Sequence, residues 1–357
     1  AVSFGKYIAR WLGDLPANVC TPKYLATEVM NILGSDWNEK KKSRVTVSYF
    51  CAGEAIDRMG GLNAVAAGSD QKPYMIVMEY NPPKSKKKNN IPTVVLVGKA
   101  VTFDAGGISI KPAAKMNEMK YDMCGGAAVI GVMAALRKCP ELCPDVRVVG
   151  IVPATENLIN GHAVKPGAVI TMYDGQTVEV NNTDAEGRLI LADAIAYAKE
   201  VYGPSVIIDI ATLTGAISGT LDGTYAGLFG NEVKLSDAKF SQNLNSDTHN
   251  IPLVRLAEVC GVNEFGCNNE SLWRMPIHRS YDKKLKSKFA DMTNVGPAGA
   301  GGSVAACFLQ RFVGNDIPWI HLDIAGTAWN SGGATGFGVM TMVDILYYLN
   351  GIKYAKG

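Results

Sequence analysis

The stretch "VNNTDAEGRLILADAIAYA", residues 180–198, passes from a β-branched end through a polar turn into an alanine- and leucine-rich run of helical character. A strand that hands over to a helix across so short a turn is the repeating unit of an α/β fold. The turn also crowds charge, because Asp184 and Glu186 stand directly before Gly187 and Arg188. One explanation is purely structural: Thr183 and Glu186 have the spacing of a capping box, and carboxylates suit the positive end of a helix. Arg188 resists it. A guanidinium in the first helical turn opposes the dipole unless an anion shares the site.

The same handover recurs along the chain. Strand-like "RVTVSYF" (44–50), "YMIVMEY" (74–80), "TVVLVGK" (93–99), "VRVVGIVPA" (146–154), "VIIDIAT" (206–212) and "IHLDIAG" (320–326) alternate with helix-like segments over 22–34, 121–138, 187–202, 303–314 and 338–350. The rhythm predicts an α/β fold, a mixed, largely parallel sheet with helices on both faces. "NPPKSKKKNN" (81–90) reads as an exposed connection, and "NVGPAGAGGS" (294–303) as a loop whose glycines permit close backbone approach.

A chain of 357 residues, 47% hydrophobic, can bury a large core. Its net charge of +2 gives no electrostatic case for nucleic acid or a membrane surface, and Lys40–Lys42 and Lys84–Lys88 read as solvated loops. Eight cysteines without a C-x-x-C pair suggest free thiols in a reducing, cytoplasmic setting. Neither a signal-peptide pattern nor an apolar run of spanning length stands out, so no membrane is expected.

In open α/β sheets, sites gather beyond the carboxyl ends of the strands. The strand-like run 93–98 leads into Lys99 and then "AVTFDAGGISIK", with Asp104 and Lys111; Asp122 precedes the next helix, and strand-like 177–180 leads to Asp184 and Glu186. Four carboxylates and two lysines are thus expected to converge at the end of one sheet. Converging carboxylates repel one another unless protons or cations neutralise them, and two divalent ions would match four negative charges. In such a set Lys99 could ligate only as a neutral amine. Oxygen-rich coordination suits Mg²⁺ or Mn²⁺ as well as Zn²⁺. The four histidines are scattered, and H-E-x-x-H, the P-loop, G-x-G-x-x-G and G-x-S-x-G are absent. Cys124, without a nearby histidine, reads as a packed thiol.

These residues carry a resemblance. "NTDAEGRLILADA" (182–194) resembles the signature of the leucine aminopeptidase family of dizinc peptidases, and "VGKAVTFDAGGISIK" (97–111) and "MKYDMCGGAA" (119–128) match its other metal-site blocks. The likeness runs from "LPANVCTPKYLA" (15–26) through "IDIATLTGA" (208–216), "LWRMP" (272–276) and "HLDIAG" (321–326) to "GATGFG" (333–338). It implies that Asp104 and Glu186 bridge two divalent metal ions, that Lys99 and Asp122 complete one site, and that Asp184 completes the other. Zinc is the first expectation, with manganese, magnesium or cobalt as alternatives. It implies catalytic roles for Lys111 and Arg188, the latter holding carbonate or bicarbonate with backbone groups around Ala185, Gly187 and Leu189. It further implies that Met119, Asn182, Thr212, Gly215 and Ala334 line the first side-chain pocket, Ala334 standing where some relatives carry methionine.

The activity so implied is hydrolysis of N-terminal, leucine-like residues from peptides, by a cytoplasmic homohexamer. The whole chain, 1–357, matches the peptidase catalytic domain; residues 1–20 fall where the connecting helix and domain start are expected, and the family's N-terminal macro-like domain has no counterpart in it. Two alternatives stay open: nucleic-acid binding, which would need a contiguous basic groove, and a different two-metal hydrolase such as a phosphatase, which would not need an apolar side-chain pocket.

Overall fold

Thr93–Gly98 is buried at every position, as expected of a strand covered on both faces. Val94 and Leu96 point into one apolar layer and Val95 and Val97 into the other, as the two-residue period of a strand requires. In this computed structural model the described residues are 1–34, 43–83, 91–237, 250–261 and 270–351. Lys40–Lys42, Lys84–Lys88, most of the connection 81–90, and His249 lie outside them.

The strands are β1 (Val45–Phe50), β2 (Tyr74–Tyr80), β3 (Thr93–Gly98), β4 (Ala100–Asp104), β5 (Arg147–Asn157), β6 (Ala168–Thr171), β7 (Thr177–Val180), β8 (Val206–Ala211), β9 (Ala226–Gly230), β10 (Leu272–Arg274), β11 (Met292–Thr293), β12 (Trp319–Asp323), β13 (Trp329–Asn330) and β14 (Gly333–Ala334). The main sheet runs β1-β2-β5-β3-β8-β12-β9-β10, with β4 beside the far end of β5. Pairs β3–β5, β3–β8, β8–β12, β4–β5 and β9–β10 are parallel, while β1–β2, β2–β5 and β9–β12 are antiparallel. This is the mixed, largely parallel α/β sheet the sequence predicts.

Helices Val2–Asp14, Cys124–Lys138 and Val339–Leu349 pack on one face, and Gly187–Tyr202 and Gly301–Val313 on the other. The helix expected over 121–138 is instead a 3₁₀ turn, Met116–Tyr121, followed after Asp122 by the α-helix. The run Met116–Lys138 is long and apolar enough to cross a bilayer, but 83% of its apolar window is buried inside the protein.

Two local expectations are corrected. β7 does not belong to the main sheet; it forms a small sheet with β6 and β11, so Asp184 and Glu186 reach the site from a second layer. At four residues with every other side chain only partly covered, β7 suits a small half-exposed sheet better than a central strand. The capping box also does not form. Helix Gly187–Tyr202 starts after Glu186 with no side-chain cap, because Thr183 Oγ1 accepts from Ser109 N at 2.8 Å and donates to Gly106 O at 2.7 Å.

Candidate metal centre and substrate cleft

Lys99 follows β3 and Asp104 ends β4, so both stand at the carboxyl edge of the main sheet. Gly125 and Gly126 let the next helix close on that edge: a Cβ on Gly125 would lie 2.2 Å from Ile210 O. Asp122 stands two residues before this helix, separated from it by Met123. From the small sheet, the turn after β7 brings in Asp184 and Glu186.

The six charged side chains interlock. Lys99 Nζ lies 2.8 Å from Asp122 Oδ1 and 2.8 Å from Glu186 Oε1, and donates to Thr212 O at 3.0 Å. Lys111 Nζ lies 2.7 Å from Asp104 Oδ2 and 2.5 Å from Asp184 Oδ1. Asp104 Oδ1 also accepts from Gly106 N at 2.9 Å and Asn157 Nδ2 at 2.8 Å, and Asp122 Oδ1 accepts from Thr212 Oγ1 at 2.7 Å.

Burial works to strip the proton from Lys99, but Asp122, Glu186 and Asp104 outweigh it and push the ammonium above its usual range. Lys111 is raised likewise, burial being overcome by Asp104 and Glu186. Burial raises Asp122 well above the ordinary carboxylate value and also raises Asp104 and Asp184, with neighbouring carboxylates adding to it. Lys99 could serve as a metal ligand only by giving up the proton that these carboxylates favour on it.

The donor set fits divalent cations. Single oxygens of Asp104, Asp184 and Glu186 lie within 4.8 Å of one another. Among the described residues, no hydrogen-bond donor reaches the buried Asp122 Oδ2 or Glu186 Oε2. Buried carboxylate oxygens left without a partner are costly, and a metal ion relieves that cost.

Arg188 is in the first turn of its helix, as expected, and buried. Its Nη1 donates to Asn294 O at 2.7 Å, while Nε has no partner among the described residues. Burial lowers its pKa to about 10, against the attraction of Glu186 and Asp323. Two of the amides expected to assist it are already engaged: Ala185 N donates to Asn182 O at 3.2 Å and Leu189 N to Glu186 O at 2.9 Å. Gly187 instead makes room for Lys99, whose Cε and Nζ would lie 2.7 Å from a Cβ there.

The charged cluster floors a cleft of about 290 Å³ lined also by Met119, Thr212, Leu213, Thr214, Gly215, Ser218, Ala325 and Trp329. Met119, Thr212 and Gly215, which the resemblance assigns to the first side-chain pocket, are among the residues that line this cleft. Asn182 is not among the lining residues; its Oδ1 accepts from Asp184 N at 2.9 Å. Ala334 is not either. It is buried on β14, where its N–H donates to Asp14 Oδ1 at 2.7 Å and its carbonyl accepts from Arg10 Nε at 3.0 Å. Ala325 lines the cleft instead, and Trp329 stacks on Tyr121 with centroids 5.3 Å apart. A more open hollow of about 510 Å³ lies at Asn231, Glu232 and Arg274, but its guanidinium is paired with Glu232.

The model of the cytosol aminopeptidase family's catalytic domain matches residues 7–258 and 262–343. The chain belongs to this family. It is 44% identical over 349 residues to a probable cytosol aminopeptidase of Nitrosococcus oceani, covering 97% of this chain and 62% of the relative. Identity is 46% to the protein of that name from Nitrosospira multiformis, with 97% and 60% covered, and 44% to that from Bordetella pertussis, with 97% and 63% covered. The chain therefore spans about three-fifths of the length of these cytosol aminopeptidases.

Around this cleft, sequence reading missed Asn157, Ala325, Trp329 and Asn294. A weak signal for Ala325 was present, since it stands near the end of the strand-like "IHLDIAG", two residues past the end of β12. No comparable signal marks the two asparagines, whose partners lie in distant segments.

Proposed function

We propose that this chain is the catalytic part of a metal-dependent aminopeptidase that removes N-terminal, preferably leucine-like residues from peptides. Lys99, Asp104, Asp122, Asp184 and Glu186 would hold two divalent cations, zinc first and manganese, magnesium or cobalt as alternatives. One observation carries the reading: four carboxylates face two ammonium groups in one cleft, and Asp122 Oδ2 and Glu186 Oε2 have no donor among the described residues. Bound there, divalent ions supply an acidified water and polarise a carbonyl oxygen.

The protein's own groups have distinct tasks. Lys111 is the more accessible of the two lysines, its side chain 20% exposed against 3% for Lys99, so it can donate to a substrate carbonyl oxygen as negative charge develops there. Asn157 fixes the Asp104 carboxylate against rotation. Arg188, with its helix N-terminus, would hold carbonate or bicarbonate, a planar anion suited to a guanidinium fork and able to accept a proton. Because Ala185 N and Leu189 N are engaged, that anion would depend chiefly on the guanidinium.

Met119, Leu213, Ala325 and Trp329 give the cleft apolar walls beside the charged floor, which favours an apolar side chain next to a free amine. Each methylene in such a pocket contributes about 1–3 kcal/mol of discrimination. A cytoplasmic homohexamer acting on peptides completes the proposal, and the relatives' names support the cytosolic part. The test is elemental analysis with parallel assays of leucinamide and a phosphate ester. Metal-bearing protein that cleaves only the amide is expected; cleavage of the ester alone would overturn the reading.

A further inference from the structure

Asn294 lies just past β11 and is fully buried. Its main-chain N–H donates to Glu179 O at 3.0 Å. Its Oδ1 accepts from Asn181 N at 2.9 Å and Asn182 N at 3.3 Å. Its Nδ2 donates to Asn182 O at 2.6 Å and Ala185 O at 3.4 Å. Its carbonyl accepts from Arg188 Nη1 at 2.7 Å. Both backbone groups and both ends of the amide are thus spent on residues 179–188, the segment that carries Asp184, Glu186 and Arg188.

That segment needs an external hold. Between β7 and the helix at Gly187 it has no regular secondary structure, and it presses Asp184 and Glu186 toward Asp104, whose like charge pushes them away. A side chain that offers an acceptor and two donors at one branch can tie down N–H and C=O groups of the same turn, and a buried residue does so without competition from water.

We propose that Asn294 is a positioning residue that clamps the turn 181–185 and Arg188 from outside the cleft, so that Asp184 and Glu186 keep the spacing a pair of divalent ions requires. It touches neither substrate nor the carboxylate oxygens. This rests on the aminopeptidase reading above and goes beyond it by assigning the support of the ligand turn to one residue of the small sheet. Groups that orient metal ligands typically matter about 10–100-fold in metal affinity or activity.

A buried asparagine can also matter only to stability, so the control is Asn231, likewise buried, whose Nδ2 donates to Ile317 O at 2.8 Å and whose Oδ1 accepts from Trp319 N at 3.1 Å. Chelator-treated wild type, Asn294→Ala, Asn294→Asp and Asn231→Ala are titrated with Mn²⁺ by calorimetry and assayed on leucinamide. Asn294→Ala is expected to bind Mn²⁺ about 10–100-fold more weakly and to lose kcat by more than KM changes, while Asn231→Ala binds as wild type. Asn294→Asp, nearly isosteric, keeps the acceptor but loses the two donors, and is expected to weaken binding in the same direction; it decides the matter should the alanine variant not fold. Wild-type Mn²⁺ affinity and kcat in the Asn294 variants, or an equal loss in Asn231→Ala, would overturn the clamp alone. A wild type that takes up neither Mn²⁺ nor, titrated in its place, Zn²⁺ would overturn the clamp together with the functional reading.

Discussion

Glu186 gives one oxygen to Lys99 and leaves the other without a donor among the described residues, so a change of one atom at this side chain should be decisive. Glu186→Gln is expected to abolish leucinamide hydrolysis and lower metal content, measured on the same preparation; full activity with both ions retained would remove Glu186 from the ligand set. Arg188→Ala is expected to keep both metals and the fold yet lose about 10²–10⁴-fold in kcat, as for loss of a general base, and to stop responding to bicarbonate. A mutant with wild-type kcat and the same bicarbonate response would mean that Arg188 holds no such anion. Lys99, Asp104, Asp122, Asp184 and Glu186 were legible because each follows an apolar run or precedes a helix, where carboxylates and lysines have little structural reason to gather. Ala334, assigned to the pocket by the resemblance alone, sits buried on β14, while Ala325, two residues past β12, lines the cleft. Asn157 and Asn294 act through side-chain hydrogen bonds to partners 26 to 113 residues away, which no local pattern encodes.

Two glycines set how closely the elements approach, and they predict opposite outcomes. A Cβ on Gly187 would meet the movable end of Lys99, whereas one on Gly125 would meet the Ile210 carbonyl at 2.2 Å, which belongs to a central strand. Gly187→Ala should therefore weaken metal binding as Lys99 is displaced, and lower the melting temperature only by what the disturbed ion pairs to Asp122 and Glu186 contribute. Gly125→Ala should destabilise by about 1–3 kcal/mol, the usual cost of overpacking. Melting curves with metal titrations check both, and a stable, fully loaded Gly125→Ala would contradict the tight contact. The central strands were legible because β3, β5 and β8 are continuous apolar runs. The small sheet was not, since its strands are two to four residues long and exist only because β11 arrives from a distant segment.

The two apolar layers on either side of the sheet follow from composition and strand alternation, and charges buried in them carry a pH dependence. Asp193, within the helix Gly187–Tyr202, accepts Leu62 N and Tyr173 N, each at 2.8 Å, and burial raises its pKa from 3.8 to about 7. Between those values the unfolded chain releases a proton that the folded chain keeps, so this group's contribution to stability falls as pH rises from 3.8 to about 7 and is flat outside that window. Asp193→Asn, at a constant cost of one accepted hydrogen bond, should therefore gain stability relative to wild type as pH rises through the window. Urea denaturation at several pH values checks this, and a difference independent of pH would show that the carboxyl is not shifted upward.

The expectations on activity and metal content depend on the charged cleft holding cations that act on a peptide with a free N-terminus. Hydrolysis of leucinamide and of N-acetyl-leucinamide, followed side by side as a divalent ion is returned to chelator-treated protein, probes both halves at once. The predicted result is leucinamide cleavage that rises from near zero and saturates at two ions per chain, with the acetylated amide untouched. Cleavage of both amides alike, or a rate indifferent to the ion, would contradict it.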